Sequence, residues 1–104
     1  MVREEDIRRV AAQVGEVAHA EQVILFGSYA RGQATEHSDV DLLVIAESAL
    51  PRFKRSRAIY GQFRPYPFSM DLVIYTPAEV EQGKRSPVSF VSRVLREGKV
   101  VYEA

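Results

Sequence analysis

The sequence predicts one α/β (α+β) domain, a small mixed β-sheet with helices packed on it. Three observations predict it. The chain has 104 residues, the size of one ordinary domain with one modest core. Short apolar runs alternate with stretches of helical periodicity in the order αβαβαβαβ. Apolar content of 46% and charged content of 27% suit a globular chain rather than a disordered one.

Each element has its own reason. Ile7, Val10, Val14 and Val17 recur at helical spacing behind Glu4, Glu5 and Asp6, whose charge suits a helix N-terminus. A first helix is therefore expected over about residues 3–19. "QVILF" reads as a short buried strand stopped by Gly27. Residues 28–32 look like one or two helical turns, and "QATEHS" is a polar loop. "DVDLLVIA" is a second strand, apolar on both faces after Asp41 and so expected to be central in the sheet. Pro51 to Arg64 holds Phe53, Ile59, Tyr60 and Phe63, an amphipathic helix stopped by Pro65 and Pro67. "FSMDLVIYT" is a third strand. "TPAEVEQG" opens with Thr76 as N-cap, Pro77 at the first helical position and Glu79 completing a capping box. "SPVSFVSRVLREG" repeats the hydroxyl-proline start and stops at Gly98, and "KVVYE" is a last short strand.

Composition excludes several classes. With no cysteine, neither disulfides nor zinc-thiolate sites hold the fold together. "MVREEDIRRV" is too charged for a signal peptide. No apolar run approaches the roughly 20 residues that span a bilayer, so a cytoplasmic protein without a membrane partner is expected. Lys plus Arg equals Asp plus Glu at 14 each, so net charge gives no push toward direct nucleic-acid binding, which would have to be local.

The chemistry lies on the strands. Side chains alternate, so Asp39 and Asp41 point to one face, roughly 6.6 Å apart along the chain. Asp71 sits between Met70 and Leu72, which face the other way. If the second and third strands are neighbours, Asp71 stands opposite that pair with Cβ atoms at about 4.5–5.5 Å, and three carboxylates converge. Two such charges 4 Å apart repel by about 4 kcal/mol at an effective dielectric of about 20. Divalent cations such as Mg²⁺, which take carboxylate oxygens, would compensate; so would a nearby arginine, for which Arg31 is the candidate. Gly27-Ser28, where a strand turns into helix, offers free amides and a hydroxyl as a phosphate seat. Neither G-x-x-x-x-G-K-[ST] nor G-x-G-x-x-G occurs.

Taken together, Gly-Ser, a spacer, Asp-hydrophobic-Asp-hydrophobic and a later hydrophobic-Asp-hydrophobic resemble the nucleotidyltransferase superfamily with the DNA polymerase β-type palm. "GSYARGQATEHSDVDLLV" is similar to the minimal nucleotidyltransferases (MNT proteins), antitoxins of HEPN/MNT pairs, and "REGKVVYE" resembles the way those proteins end. The resemblance covers nearly the whole chain. It implies a palm-like fold, two Mg²⁺ ions on Asp39, Asp41 and Asp71, and ATP as substrate. Asp71 would also help activate the attacking hydroxyl. Gly27 and Ser28 would hold the nucleotide's triphosphate, with Arg31 contacting phosphate. It implies transfer of AMP to a hydroxyl, a tyrosine of a HEPN toxin. The chain ends soon after its fourth strand, so the acceptor is expected to bring its own surface. The alternatives are an antitoxin acting by contact alone, and a small-molecule (aminoglycoside-like) transferase, in which a homo-oligomer would have to build the acceptor pocket.

Each residue has a plainer reading. Asp39 and Asp41 would cap a loop, Asp71 would be a lone edge acid, Gly27-Ser28 a plain turn and Arg31 a surface ion-pair partner. His19 and His37 are too isolated for a metal site and read as exposed or capping residues. Tyr29 reads as core packing. "RFKRSR", with Arg64 beyond, reads as a solvated helix face, or else as a docking patch for an acidic partner or RNA phosphates.

Overall fold

The computed structural model describes residues 1–104. Helix α1 (Glu4–Ala18) buries Ile7, Val10, Ala11 and Val14 and carries its acidic residues in the first turn. It ends at His19, whose left-handed backbone (φ 53°) returns the cap amide to Glu16 and Gly15 carbonyls. Strands β1 (Gln22–Phe26), β2 (Val40–Ile45), β3 (Met70–Tyr75) and β4 (Lys99–Glu103) form one mixed sheet in the order β3-β2-β1-β4. β1 runs antiparallel to β2 and β4, and β2 runs parallel to β3. β2 is thus central, as its two-sided apolar pattern predicts.

Alternation divides the core between the two faces of the sheet. Leu25, Leu42, Val44, Leu72 and Ile74 pack with Val10 and Val14 of α1. Ile59 of the single-turn helix α2 (Arg57–Tyr60) joins that layer. Ile24, Leu43 and Ile45 pack on the other face with Val80 of α3 (Pro77–Lys84) and Val91 and Val94 of α4 (Phe90–Glu97). The predicted capping box of α3 forms: Thr76 accepts from the Glu79 amide, and Glu79 accepts from the Thr76 amide. No helix is long and apolar enough to cross a membrane.

Two expectations need correction. Residues 51–64 do not form one amphipathic helix; a 3-10 turn (Arg52–Lys54) and α2 take its place. The segment has no acid to pair with its cations at helical spacing, and Arg55 is drawn inward instead. Its guanidinium, with the side chain only 8% exposed, bonds Glu79, the Leu50 carbonyl and the Ile74 carbonyl. Arg52 also pairs with Glu79 and lies 4.0 Å over the Tyr75 ring. The basic stretch is therefore not one open docking patch. Secondly, α4 starts at Ser89, whose hydroxyl accepts from the Ser92 amide, and not at Ser86-Pro87. Residues 28–32 make one turn, within the expected one or two, with Ala30 and Arg31 amides both donating to the Gly27 carbonyl. Gly32 (φ 71°) ends it, and the Gln33 amide reaches back to Ser28.

Candidate active site

At one end of the sheet, the register sets Phe26 beside Asp41 and Asp41 beside Asp71. This row lies on the face that α3 and α4 cover, one step beyond Ile24, Leu43 and Val73. The chain folds so because Leu42 and Leu72 fill the opposite face, leaving Asp41 and Asp71 on this one. Paired strands are about 4.8 Å apart, so the two carboxylates stand on neighbouring backbones. Asp39 precedes β2, and its carboxylate accepts the Ser69 hydroxyl at 2.5 Å. The spacing of Asp39 and Asp41 is repeated by Ser69 and Asp71. A parallel register therefore sets the first two beside the second two, a signal the sequence carried but one that needed the pairing to be read.

The side chains do not all converge. As oriented, no three His, Cys, Asp or Glu side chains form a ready ligand set. Asp39 is turned to Ser69, and like charges spread where nothing offsets them. The donor chemistry nevertheless fits magnesium: all donors are carboxylate oxygens, Asp41 and Asp71 are register partners, and Asp39 lies two residues before Asp41, held by the Ser69 hydroxyl. The charges also feel each other. Burial raises the pKa of Asp41 most, the Asp71 and Asp39 charges raise it further, and Arg31 opposes them.

Gly27 borders this row. Its backbone is left-handed (φ 75°), and a Cβ there would collide with Asp41 Oδ2, so any other residue would be strained and would push the carboxylate aside. The amides of Ser28 and Tyr29 donate to no protein acceptor. Arg31 lies 3.9 Å from Glu97 and donates to Gln33 Oε1 at 3.3 Å. Tyr29 packs against the core, and its hydroxyl accepts the Val2 amide. His19 and His37 are exposed and join no metal cluster.

A cleft of about 390 Å³ opens on the α4 side, lined in part by Phe26, Gly27, Arg31, Phe90, Arg93 and Glu97. The sequence reading missed Phe26, Ser69, Phe90 and Arg93. For the residues of α4 no local signal exists, because they meet the Gly27 turn only through tertiary packing. Phe90 meets Phe26 edge to face at 5.4 Å.

Comparison with known proteins gives a consistent result. The family described as "Nucleotidyltransferase domain" matches residues 7–101. A curated relative from Methanocaldococcus jannaschii, "Putative protein adenylyltransferase MJ1305", is 36% identical over 86 residues. That match covers 78% of this chain and 57% of the relative. A Sulfolobus solfataricus crystal structure of a "putative nucleotidyltransferase" aligns with a TM-score of 0.60 at 22% identity, covering 96% of this chain and 83% of that one. A "toxin-antitoxin with AMP-PNP" aligns with a TM-score of 0.58 at 21% identity, covering 99% and 75%. At such identities the structural likeness is one of fold.

Proposed function

The chain belongs to the nucleotidyltransferase domain family, and from that premise we propose that it transfers AMP from ATP to a hydroxyl of a partner protein in the cytoplasm, as the antitoxin of a toxin–antitoxin pair. The observation that carries this reading is the register pairing of Asp41 with Asp71 beside the left-handed Gly27 turn. Asp39, Asp41 and Asp71 would hold two magnesium ions. When bound, magnesium supplies a Lewis acid that activates the acceptor hydroxyl and stabilises the leaving pyrophosphate.

The chain's own residues do the rest. The amides of Ser28 and Tyr29, the Ser28 hydroxyl and Arg31 hold the triphosphate beside the acidic row. The acceptor oxygen forms a bond to the α-phosphorus. The bond from that phosphorus to the oxygen bridging to the β-phosphate breaks, and pyrophosphate leaves with that oxygen. Asp71, exposed at the start of β3, helps draw off the hydroxyl proton. Fixing the acceptor and phosphate in line makes the displacement effectively unimolecular.

The acceptor we assign is a tyrosine hydroxyl of a HEPN-type toxin. A curated relative named as a protein adenylyltransferase and a toxin–antitoxin of the same fold support a protein acceptor over a small molecule. The test mixes the chain with ATP, Mg²⁺ and the protein encoded beside it, and reads intact mass. One or more AMP increments on the partner are expected; none with any of several nucleotides would sink the reading. Asp41→Asn should abolish both the increment and neutralisation of the toxin. Neutralisation retained without the increment would mean silencing by contact alone.

A further inference from the structure

We propose that Arg93 of α4 is a second phosphate-binding residue, gripping the ATP triphosphate from the wall of the cleft opposite Gly27 and Arg31. The assignment rests on the nucleotide-site reading above. A triphosphate carries several negative charges and would lie beside three aspartates, so cations must meet it from the open side. Two arginines line that side. Arg31 has its charge partly taken by Glu97. Arg93 is exposed and has no carboxylate partner, whereas Arg31, Arg52 and Lys84, which also line clefts, are each paired with a glutamate.

Arg93 is also held on a rigid wall. Val91 and Val94, its neighbours on α4, are 2% exposed, Phe90 is locked against Phe26, and Ser89 caps the helix just before. A guanidinium so mounted presents a planar fork that matches phosphate oxygens, which a flexible ammonium cannot do. Glu97, one turn beyond Arg93 on the same cleft wall, is a like charge to phosphate and a competitor for Arg31. It should therefore weaken nucleotide binding in the wild-type protein.

Calorimetric titration of the full chain with ATP and with AMP, both with Mg²⁺, tests this. Arg93→Gln should weaken ATP binding about tenfold and leave AMP binding unchanged, because AMP lacks the β- and γ-phosphates. Glu97→Gln should tighten ATP binding several-fold. Equal ATP affinity in wild type and Arg93→Gln, or equal losses for ATP and AMP, would overturn the assignment. Should Arg93→Gln fail to fold, Arg93→Lys is read in the same way: it keeps the charge but loses the planar fork, so a several-fold loss for ATP alone is expected, and equal ATP affinity would overturn the assignment. Wild-type protein that binds neither ligand would overturn the nucleotide-site reading itself, an outcome separate from those read on the Arg93 variants.

Discussion

Asp41 sets folding against chemistry in a single side chain. Burial, then the charges of Asp71 and Asp39, hold its pKa above the ordinary carboxylate value of 3.8, with Arg31 opposing. A group whose folded pKa is raised binds its proton more tightly in the folded state. Its contribution to stability is thus full at pH below its unfolded pKa and is lost as pH rises through the raised value. At pH 7 Asp41 is therefore a burden on the fold. Asp41→Asn removes the charge at nearly constant shape, so it should raise the melting midpoint at pH 7 while abolishing transfer. Calorimetry checks it, and a lowered midpoint would contradict it. Gly27→Ala should do the reverse to stability. It places a Cβ on a left-handed backbone and against Asp41 Oδ2, for a loss of about 1–3 kcal/mol read by urea unfolding, with nucleotide binding lost as well.

Among the elements, the least legible is the connection between β2 and β3. Its basic composition suggested an exposed helix face, yet Arg55 is buried against Glu79, 24 residues away in sequence. Local pattern cannot reveal a partner on another element. The Arg55 guanidinium first, and the Thr76 amide second, lower the Glu79 pKa from 4.5 to about 2. A depressed carboxylate stabilises the fold above its unfolded pKa and loses that contribution as pH falls toward the folded one. Stability should thus decline between about pH 4.5 and pH 2, and Glu79→Gln should flatten that part of the profile in acid unfolding followed by circular dichroism. Arg55→Met, which strips four hydrogen bonds, should cost about 2 kcal/mol at pH 7. The capping motifs were legible where spacing alone decides, as at Thr76. At α4 the hydroxyl-proline pattern pointed to Ser86, but the cap is Ser89, and the helix that follows it buries Val91 and Val94. Ser89→Ala should cost about 1 kcal/mol, read in the same unfolding experiment.

Across the whole molecule, the sequence revealed the strands and the acidic residues because both follow from period-2 alternation. Leu42 and Leu72 fix which face Asp41 and Asp71 take, whatever the topology. What alternation leaves open is which strands are neighbours, and in which direction. The parallel β2–β3 pairing and the closure of α4 over the Gly27 turn arise from burial on both faces of the sheet, a property of the assembled layers. The central claim is that this pairing builds a carboxylate site for divalent ions beside a phosphate-binding turn. Electron paramagnetic resonance titration with Mn²⁺, in the presence of a non-hydrolysable ATP analogue, reads that site with no partner protein needed. Two bound ions per chain are expected in the wild type, and at least one should be lost in Asp71→Asn. Equal manganese binding in the two proteins would contradict the claim.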